Sequence, residues 1–257
     1  MGVVILRWRR AVPARARKAW LAGVALLLAA ACSANPLSRK YEYEEEIYID
    51  LDGSATVYVN AAVPALVALR GADLPVDPRA RLDRQDVRRF FESPLTRVAN
   101  VSTSRRDGRR YVHLRLEVDD VRRLGEVAPF AWSSYRFEVG EDSAHYVQRV
   151  GAASGRAVPD VGWQGSELVA FRFHLPSRVT FHNSPTREIR RGNIIVWEQL
   201  LNERRQGVPI EVEIRMDSES ILASTLLLFG TMIALVAISF VLFIWFIKRR
   251  GRHESAG

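Results

Sequence analysis

One cysteine, Cys32, stands in the whole of the 257 residues. No disulfide can form within the chain, which excludes the small scaffolds that disulfides staple together. Paired-cysteine zinc motifs are excluded with them. Also missing are H-E-x-x-H, a phosphate-cradling glycine loop and G-x-S-x-G. Histidine is scarce at five residues, four of which, His113, His145, His174 and His182, lie in the central part of the chain. His174 and His182 flank Pro176–Phe181 at a spacing that no common metal motif uses. They read as surface or hydrogen-bonded histidines. No metal, cofactor or catalytic residue is implied, and the chain does not read as an enzyme. A hydrolase assembled from residues scattered in sequence remains a third reading.

Acids are missing from the first 32 residues, which hold six basic residues, Arg7, Arg9, Arg10, Arg15, Arg17 and Lys18. An uncharged run, Ala19–Ala31, follows and closes in alanines. A basic region, a short apolar region and a small-residue end describe an export signal over residues 1–32. Its apolar part is about 20 Å long as a helix, short of the roughly 30 Å hydrocarbon slab. Cys32 is a candidate lipidation site, because small residues before a cysteine mark lipoprotein signals. Leu28, however, stands one place earlier than that pattern wants. The alternative is ordinary cleavage near Ala31 or Ala34, with Cys32 incidental.

Charge is wholly missing from residues 221–247, and 17 of these 27 residues are Ile, Leu, Phe or Val. At about 40 Å of helix the run exceeds the bilayer core, and each such residue favours insertion by roughly 0.3–0.6 kcal/mol. Lys248, Arg249, Arg250 and Arg252 follow at once in the tail, residues 248–257. The positive-inside rule therefore expects a single-pass protein of the cytoplasmic membrane, tail in the cytoplasm, residues 33–218 outside it. Within the span, Gly230 and Ala234 form a small-xxx-small pair through which the helix could meet itself or another membrane protein.

The formal charge of +8 is carried by the two ends: 27 basic residues face 28 acidic ones between Ser33 and Ile247. The exported domain is thus nearly neutral, and nucleic acid is not its partner. Its commonest pattern is strand-like alternation. In KYEYEEEIYIDLDGS, Tyr41, Tyr43, Ile47, Ile49 and Leu51 share one side while Glu42, Glu44, Glu46 and Asp50 share the other. Asp52-Gly53 turns the chain into a partner strand over 56–63. Short helices are expected at 64–69, at 84–92 behind Asp83 as cap, and at 120–124. Hairpins are expected at 98–118 around Asp107-Gly108 and at 135–150. Late strands are expected at 169–175, 194–197 and 210–216. These elements make an α+β domain, an antiparallel β-sheet with short helices on one face; a β-sandwich is the alternative.

Two features point to binding. Arg105, Arg106, Arg109 and Arg110 surround one hairpin tip and are candidates for contact with anionic lipid headgroups; the bland reading is a soluble turn. Phe130, Trp132, Tyr135, Phe137, Phe171, Phe173 and Trp197 could line a cavity for an acyl chain or simply fill a core.

The stretch FRFHLPSRVTFHNSPTREIRRGNIIVW, Phe171–Trp197, resembles LppM-type bacterial envelope proteins. So do the early strand ending at Asp52-Gly53-Ser54 and the layout of export signal, α+β domain and C-terminal span. Ser177 stands where that pattern has glycine. The resemblance implies a helix-grip-like fold and binding of membrane lipid or glycolipid; it carries no binding residues to this chain. A structural or protein-interaction module of a membrane complex is the alternative function.

Overall fold

The computed structural model describes residues 41–219 and 221–254, so Cys32 and the export signal lie outside the described residues. The described residues build two sheets. The first has six strands in the order β3-β4-β2-β1-β7-β9, with β1 Tyr41–Ile49, β2 Ala55–Ala62, β3 Thr96–Arg106, β4 Arg109–Val118, β7 Leu168–His174 and β9 Ile194–Leu200. The second has four strands in the order β5-β6-β10-β8, with β5 Ser133–Val139, β6 Ser143–Val150, β8 Val179–His182 and β10 Ile210–Asp217. The α+β class expected from the pattern is therefore the one observed. Every pairing is antiparallel except that of β1 with β7, which makes the larger sheet mixed.

Alternation decides the faces. Tyr43, Glu45, Ile47 and Ile49 point inward from β1 opposite Ala61, Val59, Val57 and Ala55 of β2. Tyr146 of β6 meets Phe173 of β7 at 5.3 Å between ring centroids, so the inner faces of the two sheets look at each other. Each fully buried ring of this kind contributes roughly 1.5–3 kcal/mol.

The turns follow their sequences. Asp107 and Gly108 both take positive φ, 51° and 75°, the paired left-handed geometry that lets a two-residue hairpin match strand twist. Helix α1, Val63–Arg70, has proline in its first turn and ends at Gly71 in the left-handed conformation. All eight of its residues are buried, so it is a core helix rather than an amphipathic cover. Helix α2, Arg84–Phe91, is capped by Asp83, whose carboxylate accepts from the Gln85 N–H at 2.8 Å. The third expected helix is a 3-10 turn, Val121–Glu126. Gly125 explains its tightness: a Cβ there would stand 2.9 Å from the Ser133 carbonyl oxygen.

One element escaped the pattern, α3, Leu201–Arg205; β8, only four residues long, is the β-stretch ending near Asn183 within the segment Phe171–Trp197. Helix α4, Ile221–Glu254, closes the described chain; its segment Thr225–Trp245 has a mean hydropathy of 2.7 and is long and apolar enough to cross a membrane. The sheets give the domain two ends. At the near end β10 runs towards α4, and Asp217 and Asn193 hold the adjacent carbonyls of Arg178 and Ser177, at 3.0 and 2.8 Å. At the far end lie Tyr41, the hairpin tip of β3 and β4, α3 and the start of β10. An eight-residue strand places those ends roughly 25 Å apart.

Candidate functional site

The junction with α4 is held from both sides of β10. Ser218, just past β10, donates its N–H to the Asp142 carbonyl at 3.4 Å and its hydroxyl to the Glu141 carbonyl. On the other side of β10, Arg178 Nε lies 2.9 Å from the Asp217 carboxylate. The turn between β5 and β6 and the start of β8 thus grip the last residues before the apolar helix. Only residues 218–220 separate Asp217 from Ile221. Such a link reaches at most about 14 Å.

The four hairpin arginines stand at the opposite end. Arg110 is buried and spends its guanidinium on the carbonyls of Pro75, Asp77 and Ala80. Arg109 donates to Glu42 and to the carbonyls of Val161 and Gly162. Arg105 donates to the Pro78 carbonyl at 2.8 Å, and Arg106 to that of Tyr41 at 3.0 Å while lying over the Tyr111 ring. These side chains tie the 72–83 and 151–166 loops to the sheet. Glu42, which alternation assigns to a solvated face, is buried there under Arg109, Tyr111 and the Trp163 indole.

Between the sheets sits an ion pair. Arg70 reaches from the end of α1 to Glu45 and to the Tyr43 hydroxyl, and both charged side chains are fully buried. The guanidinium also donates to the Pro129 carbonyl at 2.6 Å and lies 3.7 Å from the centre of the Trp132 ring. Burial alone would lower the Arg70 pKa, but Tyr43 and Glu45 beside it outweigh that and raise it. Burial pushes the Tyr43, Tyr135 and Tyr146 hydroxyls well above the ordinary tyrosine value.

The aromatic residues pack on one another around this pair. Tyr43 meets Trp132 at 5.7 Å and Phe171 at 6.3 Å, and Phe173 meets Trp197 edge-on at 5.3 Å. They fill the core. A surface groove of about 600 Å³ runs between α2 and the 3-10 turns, with Phe90, Leu95 and Val127 in its walls and Arg89 and Arg123 at its rim. A smaller one of about 430 Å³ lies by α3 between Arg156 and Arg205.

The histidines are accounted for by neighbours. His113 bridges Ser104 and Asn60 at 2.8 and 2.9 Å across three strands. His174 stacks on Tyr48 at 3.8 Å and lies 3.7 Å from Glu46, and its proximity, followed by the charge of Arg172, holds the Glu46 carboxyl below its ordinary value. His145 lies 3.1 Å from Glu213. Among the described residues, no group of three His, Cys, Asp or Glu side chains is arranged to hold a metal ion.

Sequence reasoning missed one basic cluster. The loop between β8 and β9 exposes Arg187, Ile189, Arg190 and Arg191. Its tip folds back on β9 through reciprocal bonds between Arg190 and Ile194, 2.8 and 3.2 Å, and Asn193 fixes it to Ser177. The signal was present as REIRRGN, but nothing in the sequence tells which end of the domain that loop occupies.

No family model matches this chain, and no curated protein matches it. Among solved structures it is similar to the NMR structure of the folded domain of LppM from Mycobacterium tuberculosis. The two are 15% identical with a TM-score of 0.38, over 70% of this chain and 91% of that one. That is a weak relationship of fold and says nothing of a ligand.

Proposed function

We propose that this chain is a single-span bacterial envelope protein whose exported domain is a non-enzymatic binding module for lipid or glycolipid at the outer face of the cytoplasmic membrane. One observation carries the reading: the grip of Ser218 and Asp217 on the turns beside them, three residues before an apolar helix. A domain tied so closely to a span works within reach of the headgroup layer. The filled aromatic core favours recognition of a lipid's polar portion over enclosure of its acyl chain.

The test is extraction of the full chain from its own membrane in polymer-bounded nanodiscs. The retained lipids are compared with those around a chain reduced to residues 218–257. Enrichment of one lipid class around the full chain is the expected result. Identical lipid compositions would refute the proposal. The same filled core supports a second reading, a protein-interaction module, for which co-extraction of one stoichiometric partner with no lipid enrichment is the distinguishing result.

A further inference from the structure

The near end of the domain carries a basic surface of its own. Arg187, Arg190 and Arg191 are exposed, and among the described residues their guanidinium groups meet no acceptor. Ile189 between them is 47% exposed, an apolar side chain framed by three cations. This contrasts with the hairpin tip, where Arg109 and Arg110 are committed to carbonyls and a carboxylate.

Position separates the two clusters further. The hairpin tip stands at the far end, roughly 25 Å from the junction, well beyond the Debye length of about 8 Å at physiological salt. Asn193, two residues past Arg191, is instead bonded to Ser177, whose neighbour Arg178 is bonded to Asp217. β8 carries the chain away from the junction as far as Asn183, which bonds Glu211 and Glu213, and the loop returns so that its tip, Arg191–Asn193, lies beside the residues that lead into α4.

Two acids of the near end, Glu141 and Asp142, lie on the other flank of β10. The β5–β6 turn with Glu141 and Asp142 borders β10 on one side, and β8, which leads into the basic loop, borders it on the other. Asp217 is paired with Arg178 at 2.9 Å, and Glu188 is the one acid within the loop itself.

We propose that the loop of Arg187, Ile189, Arg190 and Arg191 rests on the bilayer and binds the anionic headgroups of phospholipids, Ile189 dipping into the interface. The chemistry is that of a basic patch next to an apolar wedge: guanidinium groups pair with phosphates while the aliphatic side chain leaves water. With the β5–β6 turn lifted by its own charge, the domain leans towards its basic flank. This inference deepens the proposed function and rests on it for the location of the domain outside the cytosol.

The experiment is hydrogen exchange of the full chain in nanodiscs of pure phosphatidylcholine and in nanodiscs with one third phosphatidylglycerol. The expected result is roughly fivefold or greater slowing at residues 187–193 in the anionic discs. That slowing should be lost in the triple variant R187E/R190E/R191E and reproduced with R187K/R190K/R191K. Unchanged exchange between the two discs would overturn the inference, as would equal protection in the reversed variant. Exchange at β1 and β7 reports whether each variant is folded. Because the headgroups are supplied, failure here leaves lipid enrichment from native membranes as a separate outcome.

Discussion

Arg178 and Asp217 meet at 2.9 Å across the last residues before the apolar helix, and Asp217 also donates its N–H to the Arg178 carbonyl at 3.0 Å. A side-chain pair and a backbone bond thus join the same two residues. Arg178→Ala removes the first and leaves the second. Because Arg178 is mostly exposed, the cost in global stability is expected to stay below about 1 kcal/mol. Exchange should quicken at residues 178–179 and 217–218 only, and a uniform loss of protection over both sheets would contradict a local grip.

The Arg70–Glu45 pair behaves differently because water is excluded from it. Arg70→Met leaves a carboxylate buried beside Tyr43 and is expected to cost about 3–5 kcal/mol in equilibrium unfolding. Converting both partners, Arg70→Met with Glu45→Leu, is expected to recover most of that loss. If the double variant were no more stable than the single one, the pair would not be the source of the effect.

Tyrosine titration offers a measurement without mutation. Burial raises the hydroxyls of Tyr43, Tyr135 and Tyr146, so the folded chain keeps protons that the unfolded chain releases above about pH 10. The stability they contribute is complete below that pH and is lost as pH climbs towards the folded values. Of seven tyrosines, these three should gain their 295 nm absorbance only together with loss of the circular dichroism signal. Their ionisation in a folded protein would contradict the packing described.

Gly125 is held by space rather than by φ. A Cβ would approach the Ser133 carbonyl to 2.9 Å, and that atom belongs to the backbone of β5. Gly125→Ala is expected to cost about 1–3 kcal/mol. A neutral result would mean that the 3-10 turn moves freely from β5.

Much of the fold was legible because period-two alternation and turn residues agree. Asp107-Gly108, Asp83 as cap and the apolar run after Ser218 each act locally, and each lies where the sequence expects it. Glu45 shows what alternation hides: it sits in phase with Tyr43 and Ile47, but its presence in the core makes sense only once Arg70 arrives from another element. The parallel contact of β1 with β7 spans more than a hundred residues and leaves no local trace. Nor does the sequence reveal that Arg105–Arg110 and Arg187–Arg191 occupy opposite ends, since that depends on which way β9 and β10 run. Aromatic residues read more readily as core than as cavity, and Tyr146 and Phe173 touching at 5.3 Å agrees with that reading.

The central claim is that a folded domain stands outside the cytosol on one span. Protease added to intact spheroplasts bearing an epitope after Gly257 tests it directly. The domain is expected to be digested while a fragment containing the span and the epitope stays protected until lysis. A domain that survives intact spheroplasts and is cut only after lysis would contradict the account.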